Sequence, residues 1–228
     1  MALYAASERS CTTDGGRTTR HSFSFGPHYD PANLGFGPLV CHNDDVLEHG
    51  AGYPEHPHSE LEIVTWVLEG ALVHTDPTGA RHVVEAGRAQ VLSAGSGIRH
   101  SEVADPASGR CRFVQAWVLP TWTGTEPSYV LGEAPPPASG LVDVVGGADG
   151  LPIGTRGARL LMARLAPGQS VGLPDDPRQH VFAATGSVSL GEAVLDAGDA
   201  VRLADEPGHV VRASAEAELL VWSFSSGI

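Results

Sequence analysis

Gly52-Tyr-Pro-Glu-His56-Pro-His58-Ser-Glu-Leu-Glu62 and Ala94-Gly-Ser-Gly-Ile-Arg-His100-Ser-Glu102 are the two stretches on which the reading of this chain turns. Each places metal-ligating side chains two residues apart, among Val, Ile, Leu and Trp residues of strand character. On a strand, side chains at i and i+2 leave the same face. His56 and His58 therefore project together, and so do His100 and Glu102. If the two strands face each other, three imidazoles and a carboxylate converge on one point. That donor set suits a divalent first-row metal with coordination positions left open, and we read it as the active site.

The surrounding pattern is strand and turn. Glu60 to Leu68 is strongly strand-like, Glu69-Gly70 turns, and Ala71 to Thr75 resumes. Asp76-Pro-Thr-Gly79 is a hairpin turn before Arg81 to Glu85. Gln90 to Ser93 leads into the glycine-punctuated approach to His100, and Arg112 to Leu119 is a long strand. Upstream, Ser22-Phe-Ser-Phe25 reads as a first strand, Gly26 to Gly37 as a long loop and Leu39 to Val46 as a strand. Residues 1–20 are polar and expected to be partly mobile. Short strands separated by turn signals predict an all-β sandwich or small barrel. No stretch holds a helical apolar period.

Composition then shifts. Glu133-Ala-Pro-Pro-Pro-Ala-Ser-Gly140 reads as a linker, so we expect a domain at 1–124, a linker at 125–140 and a second domain at 141–228. The halves echo each other: Leu68-Glu-Gly70 resembles Ala184-Thr-Gly186, and Glu85-Ala-Gly87 resembles Asp196-Ala-Gly198. The echo points to one β-barrel unit used twice.

The totals exclude several classes. The formal net charge is −13, and every one of the 14 basic residues is arginine. So acidic a surface repels phosphate backbones, which speaks against direct nucleic-acid binding. Cys11, Cys41 and Cys111 are far apart and odd in number, which indicates neither a zinc knuckle nor a disulfide framework. Isolated thiols fit a reducing cytoplasm. No apolar h-region or membrane-length apolar run is visible. A monomer is expected.

Six words of the sequence, in this order and at compatible spacing, resemble the pirin family of bicupins. They are Arg20-His-Ser-Phe-Ser-Phe-Gly26, Asn43-Asp-Asp45, His56-Pro-His58, Leu61-Glu-Ile63, Val67-Leu-Glu-Gly70 and Ser93-Ala-Gly-Ser-Gly-Ile-Arg-His-Ser-Glu102. The match is dense over residues 20–120; beyond that it rests on length and rhythm. The resemblance implies two jelly-roll-like cupin β-barrels, the first holding one metal ion, usually iron, through His56, His58, His100 and Glu102. Bacterial members resemble quercetin 2,3-dioxygenases, which open the flavonol heterocycle with O2. Other members are metal-dependent, redox-responsive partners of proteins. That implies a non-enzymatic regulator acting through a protein partner as the alternative to an enzyme with a flavonol-like substrate.

Three nitrogens and one oxygen suit Fe(II), and tolerate Ni, Cu, Co, Mn or Zn. Glu102 is the candidate catalytic base for the flavonol 3-hydroxyl, being within reach of a metal-bound group. Glu62 is the ambiguity: it follows His58 in an HxH-x3-E pattern and shares strand parity with both histidines, so it is a supporting or substitute ligand. His21 and His28 flank a loop and read as surface or satisfied polar residues, His42 and His49 as exposed loop histidines with the mouth of the site as the alternative, and His74 and His82 as facing solvent across a hairpin. His180 and His209 stand alone, so the C-terminal barrel is expected to be a structural domain without metal. Trp66 and Trp117 read as core aromatics, and Cys41 as a buried inert thiol.

Overall fold

The computed structural model describes residues 1–135 and 140–225 of the 228-residue chain. Numbered along the chain, the strands of the first half are β1 (Ala2–Tyr4), β2 (Ser10–Asp14), β3 (Arg17–His21), β4 (Leu39–Leu47), β5 (Gly52–His58), β6 (Glu62–Glu69), β7 (Ala71–Thr75), β8 (Arg81–Glu85), β9 (Ala89–Ser93), β10 (Ile98–Ala104) and β11 (Cys111–Val118). They continue with β12 (Ser128–Leu131), β13 (Val142–Val145), β14 (Ala158–Leu165), β15 (Ser170–Gly172), β16 (Arg178–Thr185), β17 (Ser187–Leu190), β18 (Ala193–Asp196), β19 (Ala200–Ala204), β20 (Val210–Ala213) and β21 (Ala217–Phe224). Among the described residues the only helical element is a 3-10 turn at Ala6–Glu8, so the all-β expectation holds.

The chain divides into two compact units. One comprises Ser10–Ala134 with the short segment Pro152–Thr155. It packs a seven-stranded sheet, ordered β12-β9-β6-β11-β4-β3-β2, against a four-stranded sheet, ordered β5-β10-β7-β8. Leu47, Val67 and Phe113 of the larger sheet and Leu72, Val84 and Ala104 of the smaller interdigitate in a core where none is more than marginally exposed. Alternation along β10 puts His100, Glu102 and Ala104 inward, in the burial order expected of a pleated strand with one covered face.

The other unit comprises Met1–Arg9 with the described parts of Pro135–Leu151 and Arg156–Ile228. Its sheets are β1-β19-β16-β21-β14-β13 and β15-β20-β17-β18. Val181, Val201 and Val221 from the larger sheet meet Val188, Leu190, Leu195 and Val211 from the smaller in an apolar core. The register Ala2↔Arg202, Leu3↔Val201 and Tyr4↔Ala200 makes the first strand of the chain an edge strand of this C-terminal sheet.

Three local expectations change. The polar start of the chain forms β1, β2 and β3; Ser10–Asp14 and Arg17–His21 are a hairpin closed by Gly15 and Gly16, both at positive φ, as a two-residue primed turn requires. Ser22–Phe25, expected to be the first strand, lies outside the strands: Ser22 and Phe23 bend away from the hairpin, and Phe25 makes only an isolated bridge to His28. Ser128–Leu131, inside the stretch expected to link the domains, pairs with β9 as β12. Residues 136–139 of that expected linker lie outside the described residues.

Candidate metal centre

Strand β10 organises the site because it pairs on both sides. Toward β5 the register sets Ile98 opposite His58 and His100 opposite His56, then slips at a bulge between His100 and Glu102, so that Glu102 meets Tyr53. A bulge re-aims side chains at a defined point of a sheet. Toward β7 the register sets Glu102 opposite His74, and His74 in turn stands opposite His82 on β8.

His56, His58 and His100 come together: one ligand atom from each lies within 4.8 Å of the others. Their ring centroids are 4.5 Å (His56–His100), 4.8 Å (His56–His58) and 5.1 Å (His58–His100) apart. His56 donates from Nδ1 to the Pro54 carbonyl at 2.8 Å, which leaves its Nε2 as a lone pair. The Nε2 atoms of His58 and His100 are buried without a hydrogen-bond partner. Burying an unsatisfied polar nitrogen is costly, and a cation supplies the missing partner. Burial, and then the neighbouring His56, lowers the His58 pKa to about 4; burial, then His56, His74 and His58, pulls His100 further down. Burial thus favours the neutral form of His58 and His100, the form that ligates.

Glu102 belongs to an adjoining group with His74 and His100, whose ligand atoms also lie within 4.8 Å of one another. Its carboxylate is buried between the two sheets of the unit. Gln90 on β9 donates to Oε1 at 2.7 Å, and Gln115 on β11 donates to Oε2 at 2.8 Å. Burial raises its pKa to about 7, against the lowering effect of the Gln115 hydrogen bond. His100 is therefore common to both groups, and the four expected ligands lie along one pair of strands. Three imidazoles and a carboxylate fit a borderline divalent cation.

Glu62 sits elsewhere. Its parity with His56 and His58 does not carry through, because β5 ends at His58 and Glu60 takes φ 54 before β6 begins in the other sheet. Its buried carboxylate accepts from Ser93 Oγ at 2.6 Å and packs against Gly154, where a Cβ would stand 2.5 Å from Oε1. It belongs to neither group of ligand atoms.

Several surface expectations are corrected. His74 is fully buried, since β10 covers the hairpin that the sequence alone places at the surface. His21 takes the second of its two readings, a satisfied polar residue: it is buried, with Nδ1 on Asn43 and Nε2 on Thr12, and stacks on Phe25. His42 is buried on β4. Trp117 packs edge-on to His58 with centroids 5.0 Å apart, while its Nε1 donates to Gln115 Oε1 at 3.1 Å. Gln90, Gln115 and Tyr129 were missed altogether. The available signal was a glutamine inside an apolar strand, as in Ala89-Gln-Val-Leu92 and Phe113-Val-Gln-Ala116, because such an amide must find a partner when buried. Cys41 and Cys111 are buried, with thiol pKa values raised by burial, to about 12 for Cys111.

Beside this constellation lies a second polar cluster. Tyr53 donates to Asp45 Oδ1 at 2.6 Å, Thr19 also donates to Asp45, and Arg17 stacks on the Tyr53 ring at 4.8 Å. A cavity of about 580 Å³ opens next to His58, lined also by Pro57, Ser59, Pro77, Gly97, Ile98 and Arg99.

A twin-barrel chain with a histidine cluster between the sheets of its N-terminal unit is the architecture of a bicupin, and the comparisons name its class. Residues 5–118 match the Pirin family model, and residues 146–222 match the Quercetinase C-terminal cupin domain. A Mycobacterium tuberculosis protein provisionally named as a quercetin 2,3-dioxygenase is 44% identical over 229 residues, covering 97% of this chain and 94% of the relative. The quercetin 2,3-dioxygenase of Escherichia coli K12 is 43% identical over 127 residues, 56% of this chain and 55% of the relative. The crystal structure of the E. coli pirin YhhW in complex with nickel(II) superposes with TM-score 0.90 at 30% identity, covering 98% of both chains. The chain belongs to the pirin family, and its fold is that of two cupin domains. Among the described residues no helix is long and apolar enough to cross a membrane.

Proposed function

We propose that the chain is a metal-dependent dioxygenase of the pirin type. It opens the heterocycle of a flavonol such as quercetin with O2, at a mononuclear centre held by His56, His58, His100 and Glu102. The observation that carries this reading is the convergence of three imidazoles, two of them with orphaned buried Nε2 atoms, beside a cavity of about 580 Å³. That volume falls in the range of small-molecule sites. The names of the mycobacterial and E. coli relatives support the same chemistry, and the nickel complex of the E. coli pirin supports a single divalent ion, for which Fe(II) is our assignment.

When bound, the metal supplies a Lewis acid and a redox centre for the reaction of the flavonol with O2. Glu102 accepts the proton of the substrate 3-hydroxyl at a carboxylate oxygen. Gln90 and Gln115 fix the plane of that carboxylate by donating to its two oxygens, so its remaining lone pairs keep one direction. His58 and Pro57 border the cavity and Trp117 packs edge-on to His58, so a flat aromatic ring entering the cavity meets an apolar surface beside His58.

The test is anaerobic reconstitution of metal-free protein with Fe(II), followed by quercetin and O2. Loss of flavonol absorbance with carbon monoxide release is expected in the wild type. His58→Ala should lose both turnover and stoichiometric metal. Absence of turnover with Fe(II), Ni, Co, Cu and Mn alike overturns the proposal.

A further inference from the structure

We infer that His74 is the positioning residue of the metal centre: it receives the Nδ1 proton of His100 and so fixes which nitrogen of His100 faces the cation. The inference rests on the ligand role proposed for His100, but adds a residue that role does not include. The two Nδ1 atoms lie 3.3 Å apart in a fully buried setting. The Nε2 of His100 has no hydrogen-bond partner, and its ring stands against those of His56 and His58. A neutral imidazole carries one proton. If Nε2 is the lone pair offered to a metal, the proton is on Nδ1, and the group standing at that nitrogen is Nδ1 of His74. A ligating histidine is held in tautomer and orientation by the acceptor of its other N–H, and loss of that acceptor weakens metal binding.

The position of His74 is itself determined. It faces Glu102 across β10 and His82 across β8, and its ring stacks on Tyr129 with centroids 4.5 Å apart. Tyr129 stacks on His82 in the same way and donates its hydroxyl to Gln90 Oε1 at 2.9 Å. Gln90 in turn donates to Glu102. A continuous path, His100–His74–Tyr129–Gln90–Glu102, thus closes behind the two ligands contributed by β10. Four strands from both sheets of the unit supply it.

Cobalt(II) is the probe, through its affinity in chelator competition and its visible d–d spectrum. His74→Phe keeps a flat ring against Tyr129 but removes the acceptor, and His74→Gln keeps an acceptor. The expected result is Co(II) affinity reduced about 10- to 100-fold in His74→Phe with an altered spectrum, and largely restored in His74→Gln. Should His74→Phe fail to fold, His74→Ala against His74→Gln makes the same comparison. Affinity and spectrum unchanged in the acceptor-free variant overturn the inference. So does a second equivalent of Co(II) in the wild type that is lost with His74, because His74 would then be a ligand itself. Wild-type protein that takes up no Co(II) overturns the metal reading from which this inference starts. Normal uptake that is indifferent to His74 overturns the inference alone.

Discussion

Asp45→Asn should make the protein more stable at neutral pH, and the gain should vanish in acid. Asp45 is 2% exposed, and burial raises its pKa from 3.8 to about 6, against the lowering effect of the hydroxyls of Thr19 and Tyr53. Asp44 adds to the rise and Arg17 opposes it. Between those pH values the folded chain holds a proton that the unfolded chain has released. Stability from this group is therefore fully present below the unfolded pKa and is lost as pH rises through the folded one. A shift of this size corresponds to about 3 kcal/mol, at 1.36 kcal/mol per pKa unit. Asparagine keeps an oxygen to accept from Thr19 and Tyr53 but has no proton to lose. Urea unfolding of metal-free wild type and variant, followed by tryptophan fluorescence, measures the difference. It should favour the variant increasingly from about pH 4 to about pH 7, by up to about 3 kcal/mol. A difference that stays flat with pH would refute the claim that Asp45 is held above its ordinary pKa.

Two further substitutions separate ligand, base and scaffold. Glu102→Gln keeps an oxygen for the metal and removes the proton acceptor, so most of the metal should remain while flavonol turnover falls by at least about 100-fold, the usual worth of a general base; unchanged turnover would refute the assignment, as metal analysis beside the assay will show. In Gly52→Ala no ligand changes, yet the new Cβ would stand 2.2 Å from the Glu102 carbonyl oxygen and 2.5 Å from Val103 Cα, so β5 must part from β10. Metal content should drop together with the melting temperature, and a variant that binds metal like the wild type would show that this close approach is dispensable.

What could be read in the sequence followed the range of the interactions. The pairs His56/His58 and His100/Glu102 were legible because two-residue spacing on a strand needs no knowledge of the partner strand. The bulge after His100 was not, since it belongs to the pairing of β10 with β5. Glu62 looked equivalent to the histidines only while β5 and β6 were taken as one strand; the positive φ of Glu60 divides them. His74 was misplaced because its burial comes from β10, which follows the hairpin that carries it. The β2–β3 hairpin was overlooked for another reason. It lies at the edge of its sheet, so its strands lack an apolar stripe, and Gly15-Gly16 was its only signature.

The place of β1 has a consequence for how this protein is made. Ala2–Tyr4 are made long before their partner Ala200–Ala204, so this pairing cannot form until β19 has been synthesised. A fragment started at the C-terminal family match would leave the outer rim of β19 bare, an invitation to pair with another chain. Shuffling or dissecting this protein into halves therefore calls for carrying the first nine residues along with the second half, or for circularly permuting them onto it.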